Sequence, residues 1–278
     1  MKVAVTGASG FVGTHVVSEL LGRDGVVVTT SGRGENGPFG TRCGHLACDL
    51  MQPDDPALAA LAAHDVLIHL AWGGLPNYRS LSHLELELPR QYRLLTSLAQ
   101  RGLPRVVCAG TCLEYGLCDG ALDADRQTAP ATAYALAKDV LRRQLTMGLA
   151  DTSCDLVWAR LFYMYGARQA PSALYSLLRR AVVDGDKEFA MSSGEQLRDF
   201  MPVELVARDI VSLALTPSPS PIVNICSGQP RSVRSMVEQW LDEWGATIEL
   251  KRGVYPMPDY ESLAFWGVRG PGLDLGID

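Results

Sequence analysis

Val3-Ala-Val-Thr-Gly-Ala-Ser-Gly-Phe-Val-Gly13 stands almost at the start of the 278-residue chain, and its reading decides the fold. Val3 to Thr6 is a short β-branched run, which predicts a buried strand. Glycines follow at 7, 10 and 13. Val12, Val16, Val17, Leu20 and Leu21 then recur at helical spacing. Strand, glycine turn and helix in that order predict a dinucleotide-binding unit. Gly7 allows the tight turn, Gly10 lets a pyrophosphate approach the backbone, and Gly13 lets the helix pack on the strand. Phe11 and Val12 open the helix, where free N–H groups and the dipole favour an anion. The spacing is Gly-x-x-Gly-x-x-Gly rather than Gly-x-Gly-x-x-Gly. The position directly after a clean strand therefore carries as much of the reading as the glycines do.

Working outward, Val26 to Thr30 reads as a second strand, left through Ser31-Gly32-Arg33. A carboxylate is expected here to hold a ribose 2′-hydroxyl, yet the first acid is Glu35. Ser31 and Arg33 instead suit a 2′-phosphate, because a guanidinium grips phosphate with several donors. This favours NADP(H) over NAD(H). His45 to Ala47 reads as a third strand and Pro53 to Ala63 as a helix. Asp65 to Leu70 is a near-continuous apolar run, suited to a parallel strand covered on both faces. Its exit through Leu70, Ala71 and Trp72 falls at the sheet edge where ligands bind in such folds, and these three are candidate cofactor contacts. Residues 83 to 101 read as a long helix that starts or kinks at Pro89. Further strands are expected at Arg105 to Ala109 and Asp155 to Ala159, with a second long helix from Thr132 to Ala150. The alternation predicts an α/β fold: a Rossmann-type doubly wound parallel sheet with a smaller C-terminal substrate-binding lobe.

The second half reads differently. Helices are expected at Pro171 to Val183, Glu204 to Leu215 and Ser232 to Glu243, and a strand at Ile222 to Cys226. Gly194 to Val203 reads as a polar loop. Pro217 to Pro221 is a turn-rich connection, and the tail from Pro256 is expected to wrap the surface. Residues 1–160 with roughly 203–226 form the expected cofactor domain; 161–202 and 227–278 form the lobe.

Bulk properties narrow the function. A net charge of −6 argues against nucleic-acid or anionic-membrane partners. The sequence holds no membrane-spanning apolar run, and its immediate strand leaves no room for a signal peptide. Seven cysteines lack any Cys-x-x-Cys pair, so neither zinc site nor disulfide framework is expected, and a cytoplasmic protein with reduced thiols is the default.

Tyr134-Ala-Leu-Ala-Lys138 falls within the second long helix, so phenol and ammonium share one face. The cation is expected to lower the phenol pKa and make it a proton donor or acceptor. The chain has only four lysines, so the match carries weight. Thr111 follows a strand and would present its hydroxyl at the ligand edge beside Tyr134.

With these parts in order, the chain resembles the extended short-chain dehydrogenase/reductase family, in its nucleotide-sugar epimerase, dehydratase and reductase group. Matching segments are Thr6 to Gly13, Asp49-Leu50, His69-Leu-Ala71, Thr111 to Gly116, Tyr134 with Lys138, Arg160 to Gly166, Gln196 to Phe200 with Val203, and Asn224 to Gly228. The resemblance implies catalytic roles for Thr111, Tyr134 as acid/base and Lys138, which would also hold the nicotinamide ribose. It implies that Asp49 and Leu50 flank the adenine, that Arg198 meets the substrate diphosphate, and that Cys112, Tyr163 and Gln196 contact substrate. It also implies a homodimer built on the two long helices. Cys112 and Leu113 stand where similar 4,6-dehydratases carry Asp-Glu, which removes the dehydration acid and base. A Glu stands at the Leu113 place in related decarboxylases, and a Cys in related fucose synthases. What remains is NAD(P)H-dependent reduction of the 4-keto group of a nucleoside-diphosphate-4-keto-6-deoxyhexose. The alternatives are an NAD-dependent nucleotide-sugar 4-epimerase and, further off, a non-catalytic NADP-sensing protein.

Overall fold

The computed structural model describes residues 1–218, 220–257 and 259–273. Position 219 within the Pro217–Pro221 connection, 258, and the last five residues of the expected lobe lie outside them.

The first unit runs β1 (Lys2–Thr6), α1 (Phe11–Leu21) and β2 (Val27–Gly32). Then come β3 (Gly44–Ala47), α2 (Asp55–Ala62), β4 (Val66–His69), α3 (Leu88–Gln100) and β5 (Arg105–Thr111). After a short β6 (Gly120–Leu122), α4 (Ala133–Gly148) leads to β7 (Asp155–Leu161). The remainder is β8 (Tyr163–Tyr165), α5 (Leu174–Asp184), β9 (Glu188–Ala190), β10 (Leu197–Pro202) and α6 (Val203–Leu215). It ends with β11 (Ile222–Ile225), β12 (Pro230–Ser232), α7 (Val233–Glu243), β13 (Glu249–Lys251) and β14 (Phe265–Gly267).

Seven strands form one parallel sheet in the order β11-β7-β5-β4-β1-β2-β3. The chain builds outward from β1 to β3, then returns to place β4 on the other side of β1. That reversal opens a crevice beyond the strand ends. Alternate β1 side chains face opposite layers: Val3 and Val5 join a core with α1 and α6, and Ala4 joins one with α2, α3 and α4. The sheet is therefore covered on both faces, which explains its unbroken apolar strands.

The expected helices all form, with their ends set by caps. Thr132 accepts from Ala135 N at 3.2 Å to start α4, and Ser232 accepts from Ser235 N at 3.0 Å to start α7. Pro89 sits in the first turn of α3, where its missing N–H costs nothing. A π-helical turn over His83–Glu87 precedes it, so the long helix begins later than its apolar rhythm suggests.

Two expectations are corrected. Leu197–Pro202 is a strand, β10, lying between β8 and β12 rather than a polar loop. Its polar residues are buried and paired: Asp199 accepts from Ser227 N, Ser227 Oγ, Gly228 N and Gly267 N at 2.7, 2.7, 2.8 and 3.3 Å. The tail does not merely wrap the surface. Phe265 is buried in a cluster with Tyr115, Leu122 and Phe162, and β14 pairs with β6. Arg269 reaches back to Asp209 on α6 at 2.8 Å.

Candidate active site

The parallel register aligns Thr6 with His69 and Thr111 with Leu161. The residues leaving β1, β4, β5 and β7 therefore converge on one edge, around a cleft of about 430 Å³.

The glycine turn forms one wall. Gly7 has φ +72°, and a Cβ there would lie 2.7 Å from Ala71 N. A Cβ on Gly13 would fall 2.1 Å from Gly7 O, so only glycine lets α1 pack this closely. Gly10 caps α1 without a side-chain hydrogen bond, and the first turn holds no acid. Phe11, Val12 and Gly13 thus present helix N-terminal amides to the cleft, a cradle that suits a pyrophosphate.

The facing wall is the end of β5 and the start of α4. Thr111, Cys112, Tyr134 and Lys138 all line the cleft. Thr111 Oγ also accepts from Leu113 N at 3.3 Å, and its N–H donates to Glu114 at 2.9 Å. Behind it, Glu114 is fully buried, bonded by Arg160 Nε at 2.7 Å and by Trp158 Nε1 at 3.0 Å. The strand end that carries Thr111 is therefore clamped from below. Glu114 is not poised for chemistry: burial pushes its carboxyl up, and Arg160 pulls the other way.

Tyr134 stands in an aromatic nest, its ring 5.5 Å from Tyr78, 5.4 Å from His83 and 6.0 Å from Trp72. Its backbone N–H donates to Tyr78 O at 3.0 Å, which ties the loop after β4 to the start of α4. Burial drives the phenol well above its ordinary pKa, opposed only by a hydrogen bond with Thr111. This corrects the expected effect of Lys138. The i,i+4 spacing holds, and the ammonium donates to Ala109 O at 2.8 Å and rests 4.0 Å above the Trp72 ring. Burial in turn lowers the lysine pKa.

Other expected contacts fall differently. Leu70, Trp72 and Tyr163 line the cleft. Ala71 packs its backbone against Gly7 instead. Ser31 ends β2 with its buried Oγ unbonded, and Arg33 beside it is exposed. Neither Asp49 nor Leu50 lines the cleft. Asp49 accepts from Met51 N at 3.0 Å, and Leu50 belongs to the core packed on α2 and α3. Gln196 bonds Ser192 at 3.0 Å. Arg198 is buried behind the wall, its donors committed to Glu261 and to the carbonyls of Leu197 and Leu263. Neither of these two lines the cleft.

Sequence reasoning missed Tyr78, Gln169 and Glu261, all on the cleft wall. Tyr78 lies in the irregular segment after β4, and Glu261 arrives from the tail. Neither sits in a spaced motif, so only the fold reveals them. No group of three or more His, Cys, Asp or Glu that could hold a metal occurs among the described residues.

A doubly wound sheet, an acid-free helix N-terminus at its switch point, and a buried Tyr, Lys and Thr on the opposite wall define a nicotinamide-dinucleotide-dependent enzyme. The family model described as the NAD dependent epimerase/dehydratase family matches residues 3–226, and the chain belongs to that family. It is 31% identical over 276 residues to dTDP-6-deoxy-L-talose 4-dehydrogenase (NAD(+)) of Aggregatibacter actinomycetemcomitans, covering 97% of this chain and all of the relative. It is 25% identical to dTDP-6-deoxy-L-talose 4-dehydrogenase (NAD(P)(+)) of Kitasatospora kifunensis, over 93% of this chain and 83% of that one. Among solved structures it is similar to MoeE5 in complex with UDP-glucose and NAD. That match has a TM-score of 0.81 and 28% identity, covering 96% of this chain and 89% of that one.

Proposed function

We propose that this enzyme reduces the 4-keto group of a nucleoside-diphosphate-4-keto-6-deoxyhexose. The carrying observation is the cleft itself, with the anion cradle on one wall and Thr111, Tyr134 and Lys138 on the other. The similarity to two 6-deoxytalose 4-dehydrogenases supports the substrate class. Gly7, Gly10, Phe11, Val12 and Gly13 would hold the dinucleotide pyrophosphate, with Leu70, Trp72 and Lys138 on the nicotinamide side. A bound reduced nicotinamide supplies the hydride. Tyr134, kept protonated by burial, donates its proton to the oxygen that becomes an alkoxide, and the Thr111 hydroxyl hydrogen-bonds that oxygen.

Tyr134→Phe should lower turnover by roughly 10²–10⁴-fold with little change in melting temperature. Near wild-type turnover would remove the proposed acid. Cofactor preference is assigned to Arg33 and the lack of an acid beside it. Arg33→Ala should raise KM for NADPH and leave KM for NADH unchanged; equal behaviour of both proteins with both cofactors counts against it. The competing 4-epimerase reading predicts conversion with copurified NAD⁺ and no added reductant. We assign the cofactor to 1–160 with 203–226, and the sugar to 161–202 and 227–278. Outward Leu136 and Met147 on α4 support a homodimer, and the free cysteines fit the cytoplasm.

A further inference from the structure

Glu261 is the one carboxylate among the residues that line the cleft. Its Oε2 receives both bonds from the buried Arg198, Nη2 at 2.8 Å and Nε at 3.3 Å. A carboxylate offers about four acceptor sites, and both Arg198 bonds fall on the same oxygen. Arg198 has nowhere else to turn: its Nη1 donates to Leu197 O at 2.7 Å and Leu263 O at 3.2 Å, and its guanidinium stacks 4.5 Å from the Phe265 ring. The pair is neutral overall but layered, with the cation behind and the carboxylate in front. The cleft therefore meets the negative end. Beside it lies the buried Tyr163 hydroxyl, which interacts with this carboxylate.

We propose that Glu261 is a specificity-determining residue that accepts hydrogen bonds from the hydroxyls of an uncharged sugar and excludes sugars bearing a carboxylate. The assignment rests on the nucleotide-sugar reading above. A fixed acceptor suits a hydroxyl donor, and one left unpaired in a walled cleft weakens any ligand that cannot donate to it. A second carboxylate brought against it meets like charge in a partly desolvated space. Burial first, with the Glu261 charge adding to it, holds Tyr163, Tyr78 and Cys112 toward their neutral forms, so those neighbours can offer protons to a sugar without carrying charge.

Titration calorimetry in the presence of NADP⁺ tests this, using UDP and dTDP with their glucosyl and glucuronosyl derivatives. Wild type should bind the glucosyl form at least about tenfold tighter than the glucuronosyl form. Glu261→Gln, which can still accept from Arg198, should bring that ratio near one and leave free UDP and dTDP unchanged. Should that variant fold poorly, Arg198→Met with Glu261→Gln removes both charges and is expected to show the same loss of discrimination. Tighter binding of the free diphosphates by Glu261→Gln would overturn the proposal, because the carboxylate would then be competing with phosphate for Arg198. An unchanged sugar ratio would overturn it too. A wild-type protein that binds none of these nucleotide sugars would instead overturn the functional reading itself.

Discussion

His69 sits in the floor of the sheet with no exposure, its Nδ1 2.9 Å from the hydroxyl of Thr6. Burial lowers its pKa to about 3. Above pH 6.5 the ring is neutral whether folded or unfolded and contributes no pH dependence. Below 6.5 the unfolded chain takes up a proton that the folded one refuses until about pH 3. Stability therefore falls with acidification across that window, by up to ~1.4 kcal/mol per pH unit from this group. Denaturant melts at pH 7, 5.5 and 4.5 should show a flatter acid loss for His69→Gln than for wild type. Parallel curves would mean that other groups carry the effect. At this scale the sequence was informative about identity and weak about direction. Tyr134 and Lys138 were legible as one face of a helix. The partners of the ammonium were not, because Ala109 O comes from β5 and the Trp72 ring from the segment after β4, both distant in the chain. Arg198 misled for the same reason: its partner Glu261 is a tail residue that no local spacing announces.

The element that most needs support is the end of β5. A Cβ on Gly110 would lie 2.2 Å from Trp158 Nε1 and 2.6 Å from Glu114 Oε1, so the clamp leaves no room for a side chain. Glu114→Gln keeps the shape but strips the counter-charge from Arg160, whose side chain is 1% exposed. Breaking one side of such a buried pair costs about 3–5 kcal/mol. Chemical denaturation should read that loss, and turnover should fall as Thr111 loses its fixed seat. At the start of α4, Thr132→Ala should cost about 1 kcal/mol through the lost cap. A melting temperature within error of wild type would show the cap to be redundant. The parallel strands and long helices were readable because each buries enough apolar surface to impose its own period. The short strands β6, β8, β9 and β12 to β14 were not. Each is only three residues long and owes its form to its partner rather than to its pattern.

At the scale of the whole molecule, the outward face of α4 carries Leu136 and Met147, which are 39% and 71% exposed. If α3 and α4 meet their copies in a homodimer, these side chains are covered there. Leu136→Glu with Met147→Glu should then shift the mass measured by light scattering from dimer to monomer. A wild type that elutes as a monomer at micromolar concentration would end that expectation. The topology of the sheet was legible from the alternation of strands and helices. The short strand pairs β9 with β13 and β6 with β14 were not, since each joins segments far apart in the chain.

The four-way grip of Asp199 has a mechanical meaning. One carboxylate on β10 ties the turn after β11 to β14, so two segments distant in the chain share a single anchor. Two segments that line the cleft, those of Tyr78 and Glu261, are likewise joined, where Tyr78 meets Tyr260 at 5.9 Å and where Arg79 pairs with Asp259.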